Sequence, residues 1–179
     1  VNGGWLALGA SAGLALAAGV PRGAAARLAA PIRRQVVPLQ RASVQVFTCD
    51  TAFGDCDPER PSKGHCLLAA MALQDLVGGS IRTGTVQGTP HYWNRVGPFE
   101  VDLTADQFGF KAPRWRRGRL YAGTRFPREA GEALAPVGQN ETVNGLYRRF
   151  RRRLVPLLRG AGLAGAAKTL SRPLTVLSR

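Results

Sequence analysis

One dipeptide constrains the fold of this chain more than any other feature: Gly97-Pro98, set between two runs that alternate apolar and polar residues. Glycine reaches turn conformations at no steric cost and proline cannot donate to a central ladder, so the pair marks a reversal of the chain. Residues 91–95 and 99–103 then read as the arms of an antiparallel hairpin, with 81–86 as a strand before them. Upstream, residues 66–77 carry Leu and Met at helical spacing, and Gly78-Gly79 stops the helix. A helix followed by an antiparallel meander is an α+β order, in which a helix packs on a small antiparallel sheet.

Chemistry-bearing residues fall on these elements. Cys66 opens the helix behind Ser62-Lys63-Gly64-His65, with Ser62 the expected N-cap and Gly64 leaving room for a substrate backbone. A helix N-terminus favours a thiolate through its partial positive charge and unpaired N–H groups. The competing fate of such a cysteine is a small buried hydrophobe. His91 and Asp102 favour the first. With a loop over 95–98, Asn94 faces Phe99 and the ladder sets His91 directly opposite Asp102, both on one face. The aspartate would accept the imidazole Nδ1–H and leave Nε2 for the thiol. A one-residue slip in register would part the two, and the alternative is a polar surface hairpin.

Other residues surround this candidate triad of Cys66, His91 and Asp102. His65 is expected to line the cleft rather than act as base, since adjacent helix residues do not face each other. Tyr92 and Trp93 divide between core and substrate wall, and Asn94 and Gln107 are amide donors near the site. A structural role is the alternative for each.

The formal charge of +14 is unevenly spread. Residues 1–42 hold five arginines and no acids, residues 43–112 carry a net −3, and residues 113–179 carry +12. The expected division is an Ala/Gly-rich extension (1–42), a thiol-enzyme-like core (43–112) and a basic, partly disordered C-terminal region (113–179). Residues 4–20 are uncharged and at the short end of the ~17–25 residues of a spanning helix, with no basic segment before them. The arginines that follow favour a cytoplasmic core. The first residue is Val, and three readings of the extension stay open: non-spanning or spurious, a single anchor helix, or a soluble helix. Residues 44–47 alternate like a short strand. A helix is expected over 143–158, kinked at Pro156, with 160–179 loosely attached.

Cys49, Cys56 and Cys66 are spaced C-x6-C-x9-C. In an oxidising compartment Cys49–Cys56 is the natural pair; in a reducing cytoplasm, the placement expected here, all three stay free. A zinc site from these cysteines and a histidine lacks the short paired spacings such sites use.

The segments Pro61-Ser62-Lys63-Gly64-His65-Cys66, Leu73-Gln74-Asp75-Leu76-Val77-Gly78-Gly79, His91-Tyr92-Trp93-Asn94-Arg95 and Val101-Asp102-Leu103-Thr104-Ala105-Asp106-Gln107-Phe108 together resemble the YunG family of small bacterial proteins, over about residues 55–110. His65 stands where that family usually has Gln. The family's Cys, His and Asp order is similar to that of papain-like and transglutaminase-like folds. The resemblance therefore implies a helix-borne Cys66 facing His91 and Asp102 on neighbouring strands.

These features lead to an expected cysteine-dependent amide or ester hydrolase or acyltransferase. Cys66 attacks an acyl or peptide-like substrate, His91 shuttles the proton, Asp102 orients His91, and the Cys66 N–H helps to hold the oxyanion. No cofactor or metal is expected. The rival from another class is a non-catalytic protein that contacts nucleic acid or an anionic membrane through its basic C-terminal region.

Overall fold

The computed structural model describes residues 22–54, 56–128 and 142–172. Among these residues the helices are α1 (Arg22–Val44), α2 (Cys66–Val77), α3 (Val143–Gly160) and α4 (Ala164–Ser171). The strands are β1 (Ser80–Val86), β2 (Thr89–Val96), β3 (Phe99–Asp102), β4 (Arg114–Arg117) and β5 (Gly123–Arg125). They form one antiparallel sheet in the order β4-β3-β2-β1-β5, so the α+β class expected from the sequence is the class observed.

Helix α2 is apolar on every side, and residues 66 to 73 are all buried. A helix of that kind needs cover all round. The sheet covers one side, through β1 and β2, and α1, α3 and α4 cover the rest. Ile81, Phe99, Val101 and Leu103 face it from the sheet, and Leu146, Tyr147, Phe150, Leu154 and Leu158 from α3. Each fully buried side chain of this size contributes roughly 1.5–3 kcal/mol. At its C-terminus Gly78 takes a φ of 77° and donates its N–H to Gln74 O. Gly79 follows, where a Cβ would lie 2.2 Å from the Arg95 carbonyl oxygen; only glycine lets the chain drop directly into β1 beside β2.

Described parts of both flanks join this core. Val36, Leu39 and Ala42 of α1 and Ala167 and Leu170 of α4 belong to the same apolar cluster as α2. Their stripes are short and diluted by Arg, Ala and Pro, so neither stood out from its surroundings. Residues 44–47 are not a strand: Val44 ends α1, and a turn follows in which Val46 N donates to Ser43 O. The helical prefix runs to this point because its partly buried Ile32 and its buried positions 36, 39 and 42–43 keep helical spacing despite Pro31 and Pro38. The candidate anchor at residues 4–20 and the end of the 160–179 segment, from 173 on, lie outside the described residues, as do residues 129–141.

The hairpin register differs from the expected one by two residues. Val96 pairs with Phe99, Arg95 with Glu100 and Asn94 with Val101, so the connection is Gly97-Pro98 alone. Gly97, at a φ of 56°, takes the left-handed position that a two-residue connection demands. Side chains alternate with a period of two, so a shift of two keeps every residue on its expected face.

A crossover completes the sheet. β4 and β5 lie on opposite edges, four inter-strand steps or ~19 Å apart. Residues 118–122 bridge that span, which at ~3.3–3.6 Å per residue leaves them nearly extended. They therefore run across the sheet face that α2 does not cover. Gly84 and Gly123 admit this crossing: a Cβ at Gly84 would lie 2.2 Å from Ala122 O, and one at Gly123 2.4 Å from the Trp93 ring.

Candidate active site

His91 and Asp102 share the sheet face beneath that crossing, and both side chains are fully buried. They are diagonal neighbours, not directly opposed as expected, because of the two-residue shift in register. The contact survives: His91 Nε2 lies 2.8 Å from Asp102 Oδ2. Three further donors complete the carboxylate. Thr104 gives its N–H at 2.9 Å and its hydroxyl at 3.2 Å to Oδ1, and the Tyr121 hydroxyl donates to Oδ2 at 2.9 Å. Four bonds fill the capacity of the two oxygens, so the buried charge is fully compensated and fixed in place.

The imidazole is equally constrained. Phe108 meets it edge-on at 4.7 Å between centroids, Tyr121 edge-on at 5.8 Å, and Trp93 stacks at 6.1 Å. Cys66, the first residue of α2, is near enough for its thiol to bear on the imidazole's charge. Nε2, not Nδ1, is the nitrogen that meets Asp102, the reverse of the assignment expected from the sequence. Gln107 Nε2 also approaches Nδ1, at 3.4 Å, while donating to Thr104 O at 2.9 Å. Burial disfavours the charged imidazole, but the hydrogen bonds and charges of Asp102 and Cys66 outweigh it and raise His91 to about 9.

The other expected site residues divide. Gln107 is at the site. Asn94 points to the opposite face of the sheet and donates to Ala70 O of α2 at 2.8 Å. It serves helix–sheet docking and not the cleft. Trp93 is buried under Gly84 and Gly123 and donates Nε1–H to Glu100 at 3.0 Å, so it cannot wall a substrate. The half-exposed aromatic is instead its neighbour Tyr92; burial and the nearby Cys66 both push its phenol up.

Gly64 does not open onto substrate either. At a φ of 80°, it lies under the chain's own backbone, where a Cβ would come 2.8 Å from Phe53 O, and its carbonyl accepts from Phe53 N. His65 is likewise sealed in rather than cleft-lining. It stacks on Phe47 at 4.5 Å, with Nδ1 3.1 Å from Lys63 O and Nε2 3.0 Å from Thr51 Oγ1. Burial lowers its pKa, against the opposing pull of the Lys63 and Thr48 carbonyls, each 3.1 Å from a ring nitrogen. Ser62 is not the N-cap: His65 holds that position without a side-chain cap bond, and Ser62 Oγ is buried with no partner among the described residues.

Cys49 and Cys56 form a disulfide and leave Cys66 as the free thiol, where a reducing cytoplasm would have left three. The turn at Thr48–Thr51 folds the loop back, and the two Cα atoms lie 5.1 Å apart. The pairing also removes both residues as zinc ligands. Among the described residues no group of three or more His, Cys, Asp or Glu side chains could hold a metal ion. No helix among them is long and apolar enough to cross a membrane.

Tyr121 and Thr104 were not among the expected site residues. Thr104 could have been found, since it lies two residues past Asp102, where a hydroxyl can turn back to a carboxylate. Nothing local marks Tyr121, which reaches Asp102 only through the crossover.

The protein-family model of the YunG protein matches residues 35–153, which takes in the helix, the meander, the crossover and most of α3. No curated protein matches the chain. No solved structure matches it.

Proposed function

This chain belongs to the YunG protein family, and we propose that it is a cysteine-dependent acyl enzyme that hydrolyses an amide or ester or transfers its acyl group. The observation that carries this reading is the buried His91–Asp102 pair at 2.8 Å, with the Cys66 thiol near enough to help raise the imidazole's pKa. A structural histidine needs one satisfied partner. This one has a saturated carboxylate on Nε2 and is also influenced by the only free cysteine among the described residues, at the first position of a helix.

The chemistry follows from those positions. A thiolate beside a protonated imidazole at a helix N-terminus is nucleophilic near neutral pH. Cys66 sulfur bonds to the substrate carbonyl carbon, and the oxyanion so formed sits at the first-turn N–H groups of α2, which have no intrahelical acceptor. The His91 imidazolium protonates the departing amine or alcohol as the carbonyl re-forms, leaving a thioester on Cys66. The neutral imidazole then takes a proton from water or an acceptor amine, whose attack releases the acyl product and the thiol. Asp102 touches neither substrate nor thiol and acts as a positioning residue that holds the ring. Cys66 is 9% exposed and His91 not at all, so substrate approaches from the thiol side. The sequence of groups, thiol at a helix start with imidazole and carboxylate on adjacent strands, supports a likeness to papain-like and transglutaminase-like enzymes. The Cys49–Cys56 disulfide favours an oxidising compartment over the expected cytoplasmic one.

Turnover of small activated esters and amides by the full chain tests the proposal. A thioester trapped on Cys66, seen by mass spectrometry, with a loss of about a hundredfold or more in Cys66→Ala, is the expected result. A rate unchanged in Cys66→Ala would exclude it.

A further inference from the structure

A second site lies on the far side of the molecule's helical layer. Arg148, Arg152 and Arg159 recur on one side of α3, and Arg172 follows the end of α4. With Gly145 and Arg151 they line a cleft of about 580 Å³ that shares no residue with the Cys66 site. Arg151 is buried, and its guanidinium donates to the carbonyls of Leu170 and Arg172, which ties the end of α4 to α3 and brings Arg172 to the rim.

The remaining four arginines are exposed, and no carboxylate among the described residues pairs with them. By contrast, Arg149 and Arg153 on the same helix face Asp50, and Arg128 faces Asp75. Four guanidiniums around one concavity, with no carboxylate partner among the described residues, concentrate positive potential and attract anions. The guanidinium fork matches phosphate oxygens two at a time. From Arg148 to Arg159 the row is ~16 Å long, more than one phosphate group occupies. The cleft volume falls within the ~300–1,000 Å³ of small-ligand sites. No aromatic ring lines it, so it offers no stacking platform for single-stranded bases. Its floor, at Val155 and Leu170, is apolar. We propose that this cleft binds a small ligand bearing two or more phosphate groups.

Calorimetry on the full chain at physiological salt, with sodium tripolyphosphate as the probe, tests this. Orthophosphate, a short oligothymidylate and phosphatidylserine vesicles serve as comparisons. The expected result is one tripolyphosphate per chain, bound more tightly than orthophosphate and at least tenfold more weakly by Arg148→Ala/Arg152→Ala. The conservative Arg148→Lys/Arg152→Lys pair, which keeps charge and packing but loses the fork, should also weaken it. Arg95→Ala/Arg116→Ala, exposed arginines outside the cleft, should leave it unchanged. Absent binding, an equal loss in the Arg95/Arg116 pair, or preference for the oligonucleotide or the vesicles would overturn the assignment.

Discussion

The Tyr121 hydroxyl lies 2.9 Å from Asp102 Oδ2, the oxygen that also receives His91 Nε2. Burial, reinforced by the Asp102 charge, pushes the phenol well above its ordinary range, so Tyr121 stays protonated and remains a donor at any working pH. Because residues 118–122 reach this face only by spanning the sheet, the bond also fastens the crossover that roofs the site.

Tyr121→Phe keeps the ring and removes that donor. A hydrogen bond to a buried carboxylate is worth about 2 kcal/mol, and the variant is expected to lose about that much stability. Urea denaturation reads it as a lower midpoint at unchanged slope. A midpoint equal to that of the parent would mean that the bond is not made.

His91 predicts a pH dependence. Its folded-state pKa is raised, to about 9 from 6.5, so the folded protein holds a proton that the unfolded chain releases. The resulting stabilisation is fully present below pH 6.5 and is lost as pH rises through about 9. The shift corresponds to about 3 kcal/mol at most. Asp102→Asn removes a hydrogen bond and a charge that raise the pKa, and Cys66→Ala removes the other pair, so each should lower it. NMR titration of the imidazole in the three proteins is the measurement. An imidazole titrating near 6.5 in the parent would contradict the pairing.

Much of the candidate site was legible because it lies on local signals. Gly97-Pro98 marked the hairpin, Gly78-Gly79 ended the helix, and period-two alternation placed His91 and Asp102 on one face even though the register was off by two. Parity survives such an error, whereas the choice of ring nitrogen does not: the diagonal offset presents Nε2, not Nδ1, to the carboxylate. His65, Trp93, Asn94 and Gly64 were misplaced for a common reason. Each lies within three residues of a site residue, but the helix start turns Gly64 and His65 into the 48–53 loop. Strand alternation sends Asn94 onto α2, and the crossover covers Trp93 on the face it shares with His91. Tyr121 depends on a contact 19 residues from Asp102 in the chain, made by a segment with no periodic signal of its own.

The disulfide predicts a thiol count. Denatured without reductant, the full chain is expected to show one reactive thiol, on Cys66, and three after reduction. Closing so short a loop constrains the unfolded chain by about 2 kcal/mol, so Cys49→Ser/Cys56→Ser should be less stable by a comparable amount. Three thiols before reduction, in protein purified from an oxidising compartment, would contradict the pairing.

The most direct test of the central claim is the rate at which iodoacetamide alkylates Cys66 in the native protein across pH 5 to 9, with the modified residue mapped by mass spectrometry. A thiol activated by His91 should react faster near neutral pH than free glutathione, despite its 9% exposure, and His91→Gln should abolish that advantage. A Cys66 that reacts no faster than glutathione at any of these pH values, with no change in His91→Gln, would leave the His91–Asp102 pair a purely structural feature.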